Sequence, residues 1–127
     1  MKNYLVDSDI IIDCLRQEKS VLEFLKTYIE HENALFMISS ITRAELFSGR
    51  SAQDIKGERF LSKVLDSFVE IPLDKIISEI AGKFRFKYGI LLADAIIAAT
   101  AYHNKAVLLT RNFKDFSRIK EIKISNA

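Results

Sequence analysis

The feature that most constrains this chain is a set of short apolar segments that show no alternation of polar and apolar residues. Strands of this kind are typical of parallel sheets covered on both faces, because both sides of each strand are then buried. A further segment, Ile122–Ile124, does alternate and predicts a strand at the edge of the sheet. The non-alternating segments that we interpret as strands are Asn3–Val6, Ala34–Ile38, Val69–Ile71 and Ala106–Leu109.

Helical patterns separate the predicted strands. The capping-box sequence Ser20–Glu23 begins a helix that we expect to run to about Glu32, and Asp74 begins another that ends before Gly89. Ala93–His103 is apolar on nearly all sides, so this helix is expected to be buried between other elements. A helix that begins within residues 51–54 is expected to turn inward Phe60, Leu61, Val64, Leu65 and Phe68.

Strands that alternate with helices predict an α/β protein with three layers (α/β/α) and a mainly parallel central sheet of short strands. No linker divides residues 1–127, so we expect a single domain, and 49% hydrophobic residues suffice for its core. No apolar run approaches the roughly 20 residues of a membrane span, and the N-terminal residues do not resemble a signal peptide. The single Cys14 excludes an intramolecular disulfide, so we expect a cytoplasmic protein. The net charge of +2 does not by itself indicate a nucleic-acid partner.

Four acidic residues from distant parts of the chain are predicted to meet at one edge of the sheet. Asp7 follows the first strand directly, and Glu45 lies in the first turn of the helix after the second strand. Asp94 begins the buried helix that leads into the fourth strand, and Asp115 lies in the loop after that strand. The carboxyl ends of parallel strands share one edge, which is where α/β proteins bind ligands.

Clustered carboxylates repel one another, and a divalent cation is the usual compensation. A shell of carboxylate oxygens suits Mg²⁺ or Mn²⁺, and such an ion activates water for attack on a phosphodiester. The four acids therefore indicate a metal-dependent nuclease or phosphodiesterase. Other interpretations stay open: Asp7 as a helix cap, Glu45 as the end of a capping box, and Asp115 as a turn residue.

These residues lie in segments that match a known family. The chain resembles the PIN domain, and within it the VapC-type toxins of prokaryotic toxin–antitoxin pairs. The matching segments follow one another in the family's order and together span nearly the whole chain. They are Tyr4–Asp13, Ile38–Leu46, Ala93–Ala101 and Leu109–Phe116.

The resemblance implies a PIN-like fold and an Mg²⁺- or Mn²⁺-dependent endoribonuclease with a metal-activated water as nucleophile. It also implies a VapB-like antitoxin partner, an RNA substrate and a homodimer. By resemblance, Asp7, Glu45 and Asp94 are the central acids, and Asp115 is a fourth, more variable one. The polar residues that would support the metal or its waters are Ser8, Thr110 and Asn112. The pair Ser8-Asp9 departs from the usual family pattern, and the sequence leaves open whether Asp9 faces the site or the solvent.

Basic residues near the predicted site are candidates for binding RNA phosphates. Residues 105–123 carry six basic and two acidic side chains, from which we select Arg111 and Lys114. Lys87 lies in Lys83–Tyr88, where basic and aromatic residues interleave as on some RNA-binding surfaces. Alternatively, the first stretch is an ordinary solvated face, and the second a helix end with inward-packed aromatics.

Two other classes of function compete with the nuclease. Asp7-Ser8-Asp9 resembles the start of an aspartyl-phosphate phosphatase, although Ile10-Ile11 stands where such an enzyme would need Gly-Thr. A catalytically idle protein-binding PIN-like domain is the other class, and it has no need of four acids on one rim. We also expect a homodimer interface to include part of the apolar surface around Phe60–Phe68 and Ile76–Phe84.

Overall fold

The framework of the protein, in a computed structural model that describes residues 2–28 and 33–125, is a parallel sheet of five strands. The order across the sheet is β3-β2-β1-β4-β5, and every neighbouring pair is parallel. The prediction of a mainly parallel central sheet is therefore confirmed, including its alternating edge strand. The strands are β1 (Lys2–Val6), β2 (Ala34–Ser39), β3 (Val69–Ile71), β4 (Val107–Leu109) and β5 (Lys123–Ser125).

The register places the carboxyl ends of the three central strands side by side. Leu5 in β1 is opposite Met37 in β2 and Leu108 in β4. The chain leaves β1 at Asp7, whose backbone N–H donates to the carbonyl of Leu109 at 3.0 Å. Residues that follow these strands are thus brought to one edge by the pairing of the backbone alone.

Helices cover both faces of the sheet. One apolar cluster joins α5 and α6 to Leu5, Met37 and Leu108, whereas the other joins α1, α2 and α4 to Tyr4 and Val6. Successive residues of β1 thus point into opposite clusters, which confirms the three-layer architecture. The helices are α1 (Ser8–Arg16), α2 (Val21–Tyr28), α3 (Ser40–Phe47), α4 (Ile55–Leu65), α5 (Lys75–Tyr88), α6 (Leu92–His103) and α7 (Phe113–Phe116), with a 3₁₀ turn at Arg50–Ala52.

Helix α6 is the buried helix that the sequence predicts. Every residue from Ala95 to Ala101 is buried, and the Thr100 hydroxyl is satisfied by donating to the Ile96 carbonyl at 2.7 Å. Only its first turn reaches the edge of the sheet, with Asp94 half-buried there. In the described part of the chain, no helix combines the length and apolarity that crossing a bilayer requires.

Several local predictions need correction. Phe60 does not face inward: it is 59% exposed, because Leu61 and Leu65 define the buried face and Phe60 lies about 100° away around the helix. Phe68 is buried, but α4 has already ended at Leu65. The bounds of α1 were not predicted, although one interpretation of Asp7 was as a helix cap, and the predicted end of α2 near Glu32 lies outside the described residues.

Two helical glycines should respond in opposite directions to substitution by alanine. A Cβ atom at Gly82 in α5 meets nothing within 4 Å, so Gly82→Ala should raise the free energy of unfolding by about 0.5–1 kcal/mol through helix propensity. A Cβ atom at Gly57 in α4 would lie 1.7 Å from the backbone oxygen of Ser51, so Gly57→Ala should lower it by about 1–3 kcal/mol. Urea unfolding of both variants measures this. A Gly57→Ala protein as stable as the wild type would contradict the packing of α4 on the preceding turn.

Candidate active site at the carboxyl edge of the sheet

Asp7 stands at the junction of β1 and α1 and is held at both carboxylate oxygens. Its Oδ1 accepts a hydrogen bond from the backbone N–H of Ser8 at 2.8 Å, and so it caps α1. Its Oδ2 accepts a hydrogen bond from the Thr110 hydroxyl at 2.8 Å. The side chain is thus both a helix cap and a fixed member of the edge, and the residue is only 8% exposed.

The environment of Asp7 disfavours its charged form. Burial is the main cause that raises its pKa from 3.8 to about 6, followed by the negative charge of Asp9 and, less strongly, that of Glu45. The hydrogen bonds from Thr110 and Ser8 act in the opposite direction but do not cancel these effects. Ionised Asp7 is therefore a group under electrostatic strain in the protein alone.

Glu45 is presented by α3, which is anchored at its first turn. Ser39 at the end of β2 caps the helix, accepting from the backbone N–H of Ile41 at 3.2 Å. Glu70 on β3 then accepts from the Ser40 hydroxyl at 3.0 Å and from Arg43 Nε at 2.7 Å. Because α3 begins at Ser40, Glu45 lies in its second turn, so the predictions that it lies in the first turn or closes a capping box are wrong.

Glu45 and Asp94 extend the acidic edge away from Asp7. Glu45 is exposed, but desolvation of its carboxylate by the surrounding protein, and then the charge of Asp94, raise its pKa, while a hydrogen bond from the Ser8 side chain lowers it. Asp94 lies in the first turn of α6, where the helix dipole favours a negative charge. Burial nevertheless raises the pKa of Asp94, and the charge of Asp115 adds to this effect.

Asp115 and Asp9 complete a connected series of carboxylates. Asp115 lies on the short helix α7 rather than in a loop, and its Oδ2 accepts from Asn112 Nδ2 at 3.1 Å. Electrostatic interactions link Asp115 to Asp94, Asp94 to Glu45, and Glu45 to Asp7. Asp9 acts on both Asp7 and Glu45. The structure therefore brings the predicted acids together as interacting neighbours.

These carboxylates do not form a closed ligand group. In residues 2–28 and 33–125, no three His, Cys, Asp or Glu side chains are gathered closely enough to hold a metal ion as they stand. The donor set nonetheless fits a hard divalent cation, because it consists of carboxylate oxygens whose charges repel. One of these oxygens, Asp9 Oδ1, is buried and has no hydrogen-bond partner within the same residues.

The three supporting polar residues predicted from the sequence lie among the acids. Thr110 is fully buried, and besides donating to Asp7 its hydroxyl accepts from the backbone N–H of Asn112 at 3.0 Å. The Asn112 side chain in turn orients Asp115. Ser8 holds Asp7 through its backbone and Glu45 through its side chain.

Asp9 is the residue whose orientation the sequence left open, and it faces the site. Its Oδ2 accepts from the backbone N–H of Arg111 at 3.1 Å and lies 3.3 Å from the Thr110 hydroxyl oxygen. The only sequence signal was its position two residues after Asp7. That spacing becomes informative only once α1 is known to begin at Ser8, because a first-turn residue of α1 is then close to the edge.

The predicted phosphate-binding residues differ in their surroundings. Arg111 is 42% exposed and forms an ion pair with Asp13 at 2.7 Å, and Lys114 is exposed on α7. Lys87 is paired instead with Glu121 at 3.0 Å.

The aromatic residues beside Lys87 are divided between core and surface. Phe84 is buried on α5, whereas Phe86 is 92% exposed. The alternative prediction of inward-packed aromatics therefore holds for Phe84 and is wrong for Phe86.

Comparisons with known proteins concern the sequence and the fold of the chain as a whole. Residues 4–122 match the sequence model of the PIN domain family. Ribonuclease VapC19 of Mycobacterium tuberculosis is 30% identical over 120 residues, which cover 93% of this chain and 95% of that protein. A toxin–antitoxin complex from Klebsiella pneumoniae contains a chain that is 32% identical with a TM-score of 0.77, and the match covers 94% of each chain. VapBC2 from Rickettsia felis, bound to a DNA fragment from its promoter, is 25% identical with a TM-score of 0.79 and 98% coverage of each chain.

The strained ionisation of Asp7 predicts a specific dependence of stability on pH. Native Asp7 keeps its proton up to about pH 6, whereas the unfolded chain releases it near 3.8. The stabilisation by protonated Asp7 is therefore complete below pH 3.8 and is lost as the pH rises through about 6. In metal-free buffer, Asp7→Asn should be more stable than wild type by about 1–3 kcal/mol at pH 8 and lose this advantage near pH 4.

Denaturant unfolding at several pH values measures the effect. Asp54→Asn is the matched control, since Asp54 also caps a helix, accepting from Gly57 N–H at 2.7 Å, but lies outside the acidic edge. Asp54→Asn should not be more stable than the wild type at pH 8. An Asp7→Asn protein that is less stable than wild type at pH 8 would show that the charge of Asp7 is not strained.

Proposed function

The chain belongs to the PIN domain family, and from that premise we propose that it is an endoribonuclease and the toxin of a type II toxin–antitoxin pair. The observation that carries the proposal is the series of interacting carboxylates, drawn from four separate segments to the edge where the central strands end. Its similarity to a protein named as a ribonuclease supports the activity, and its similarity to chains of toxin–antitoxin complexes supports the biological role.

The cofactor that we propose is Mg²⁺ or Mn²⁺, held by Asp7, Asp94 and Asp115, with Glu45 acting through a water molecule. When bound, such a cation lowers the pKa of a coordinated water and stabilises the charge that develops on a phosphodiester. The protein contributes fixed oxygens: Thr110 and Ser8 hold Asp7, and Asn112 orients Asp115. Orienting the acids in advance reduces the cost of assembling the site when the substrate binds.

Two alternatives are less well supported. The aspartyl-phosphate phosphatase is disfavoured because Ile10 and Ile11, which stand where the phosphatase sequence would continue, are fully buried core residues of α1. An idle protein-binding domain gives no reason to gather several mutually repelling carboxylates. The nuclease explains that cost, because the same repulsion favours binding of a cation.

The RNA substrate is proposed to run past the exposed cations beside the acids. Arg111 and Lys114 lie on the same loop and helix as Thr110 and Asp115, and so they are placed to attract phosphates. Lys87 is a weaker candidate for binding RNA phosphates, since its described contacts are with Glu121 and Tyr88. The free, buried Cys14 is in keeping with a reducing compartment, and we place the enzyme in the cytoplasm.

The protein partners in the proposal are a VapB-like antitoxin and a second copy of the chain. Exposed Phe60 borders two adjoining cavities, of about 580 and 530 Å³, that also share Leu15. One of these cavities reaches Glu45, so a partner bound there would lie next to the acidic edge. For the homodimer, we propose part of the apolar surface around Phe60–Phe68 and Ile76–Phe84, in which Phe60 and Ile76 are 59% and 53% exposed.

Neutralising Asp94 should abolish RNA cleavage without unfolding the protein. Asp94→Asn keeps the size of the side chain but removes a charge, and we expect a loss of at least about a hundredfold in cleavage rate. Growth arrest on expression without the antitoxin should disappear as well. Asp74→Asn, at the cap of α5 outside the edge, is the control and should keep both activities. Continued cleavage and arrest with Asp94→Asn would show that Asp94 is not part of the catalytic site.

A divalent cation should stabilise the wild-type protein in the absence of RNA. An ion that binds only the native state stabilises it by about 2.7 kcal/mol at a hundredfold excess over Kd, or roughly 10 °C in melting temperature for a domain of this size. The gain with Mn²⁺ should disappear in Asp94→Asn and should decrease below pH 6 as the carboxylates bind protons. Differential scanning calorimetry at millimolar Mn²⁺ tests this. A melting temperature that does not change with Mn²⁺ or Mg²⁺ would contradict the proposed metal dependence.

A further inference from the structure

The two carboxylate oxygens of Asp9 have different surroundings. Oδ2 accepts from the backbone N–H of Arg111 at 3.1 Å and lies within 3.3 Å of the Thr110 hydroxyl. Oδ1 is buried and, in the part of the chain that the structure describes, has no hydrogen-bond partner. A buried polar atom without a partner costs free energy comparable to a lost hydrogen bond, and more when the group is charged. Oδ1 is therefore the oxygen of Asp9 that is left for a partner other than the described part of the chain.

Asp9 is close enough to the other acids to share a ligand with them. Its charge is the largest charge that acts on Asp7, and it also acts on Glu45. Thr110 connects Asp9 and Asp7, because its hydroxyl lies within hydrogen-bonding distance of an oxygen of each. Asp9 thus lies among interacting carboxylates, whose negative charges together attract a cation.

We propose that Asp9 is a fifth functional carboxylate: its Oδ2 holds the Thr110–Arg111 turn in place, and its Oδ1 binds the divalent cation. The inference rests on the proposed function, because it assigns a residue to the metal site named there. It makes Asp9 an added ligand alongside Asp7, rather than a surface acid that happens to follow it.

Asp13 provides a natural control for this assignment. It lies one turn after Asp9 on α1, and its Oδ2 pairs with the guanidinium of Arg111 at 2.7 Å. Asp9 and Asp13 therefore both attach α1 to Arg111, one through the backbone and the other through the side chain. They differ in that Asp9 retains a buried carboxylate oxygen without a partner.

The experiment is isothermal titration of the full chain with Mn²⁺ alone, comparing wild type, Asp9→Asn and Asp13→Asn. Asparagine at position 9 still accepts the hydrogen bond from the backbone N–H of Arg111 but has no charged oxygen for the cation. We expect Asp9→Asn to weaken Mn²⁺ binding by about 10- to 100-fold, and Asp13→Asn to change it by less than about threefold. Water proton relaxation should show one additional water on Mn²⁺ bound to Asp9→Asn. Asp9→Ser serves the same comparison should Asp9→Asn not fold.

The outcomes separate this inference from the proposed function. Wild-type protein that binds Mn²⁺, with Asp9→Asn binding equally well, would overturn the role of Asp9 and leave the metal-dependent nuclease intact. Equal weakening by Asp9→Asn and Asp13→Asn would also overturn it, because a general loss of negative charge would then explain both. Wild-type protein that binds no Mn²⁺ would contradict the metal site as a whole.

Discussion

The parallel register of β1 with both β2 and β4 is the constraint on which the rest of the site depends. With Leu5 opposite Met37 and Leu108, the three strands end at the same edge. Residues far apart in sequence are then neighbours before any side-chain contact is made, since the backbone N–H of Asp7 already donates to the carbonyl of Leu109. A shift of one residue in this register would exchange the residues that β1 directs into the two apolar clusters, so core packing and site geometry are selected together.

Gathering the acids at one edge destabilises the fold electrostatically, and the stability of the apolar core offsets this effect. Burial and neighbouring charges raise the pKa values of Asp7, Glu45 and Asp94, so each carboxylate is less easily ionised than it would be in water. Two apolar clusters, one on each face of the sheet, supply the stability that such strain consumes. The hydrogen bonds to Asp7 from Thr110 and Ser8 lower the cost without removing it. A divalent cation that neutralises these charges would relieve the repulsion, and this relief would contribute to the free energy of cation binding.

Hydrophobic periodicity and topology predicted the fold and the location of the acids, but they did not predict the exposure of individual side chains. The apolar, non-alternating strands and the all-round apolar α6 indicated a covered parallel sheet, and the rule that ligands bind at the strand ends located the acids. The exposure of Phe60 and Phe86 was not predictable in the same way, because it depends on where each helix ends and how it rotates on its neighbours. Asp9 was undecided for a similar reason: a one-residue difference in the start of α1 decides whether its carboxylate meets Thr110 or the solvent.

The central claim is that the acids are gathered to hold a divalent cation, and Mn²⁺ is the ion whose position can be located most directly. Crystals of the protein grown with Mn²⁺ and measured at the manganese absorption edge would show each bound ion as a peak of anomalous density. The account predicts a peak at the carboxyl edge of the sheet, within coordination distance of oxygens of Asp7 and Asp94. Well-ordered carboxylates with no peak among them at millimolar Mn²⁺, or a peak only at sites remote from this edge, would contradict it.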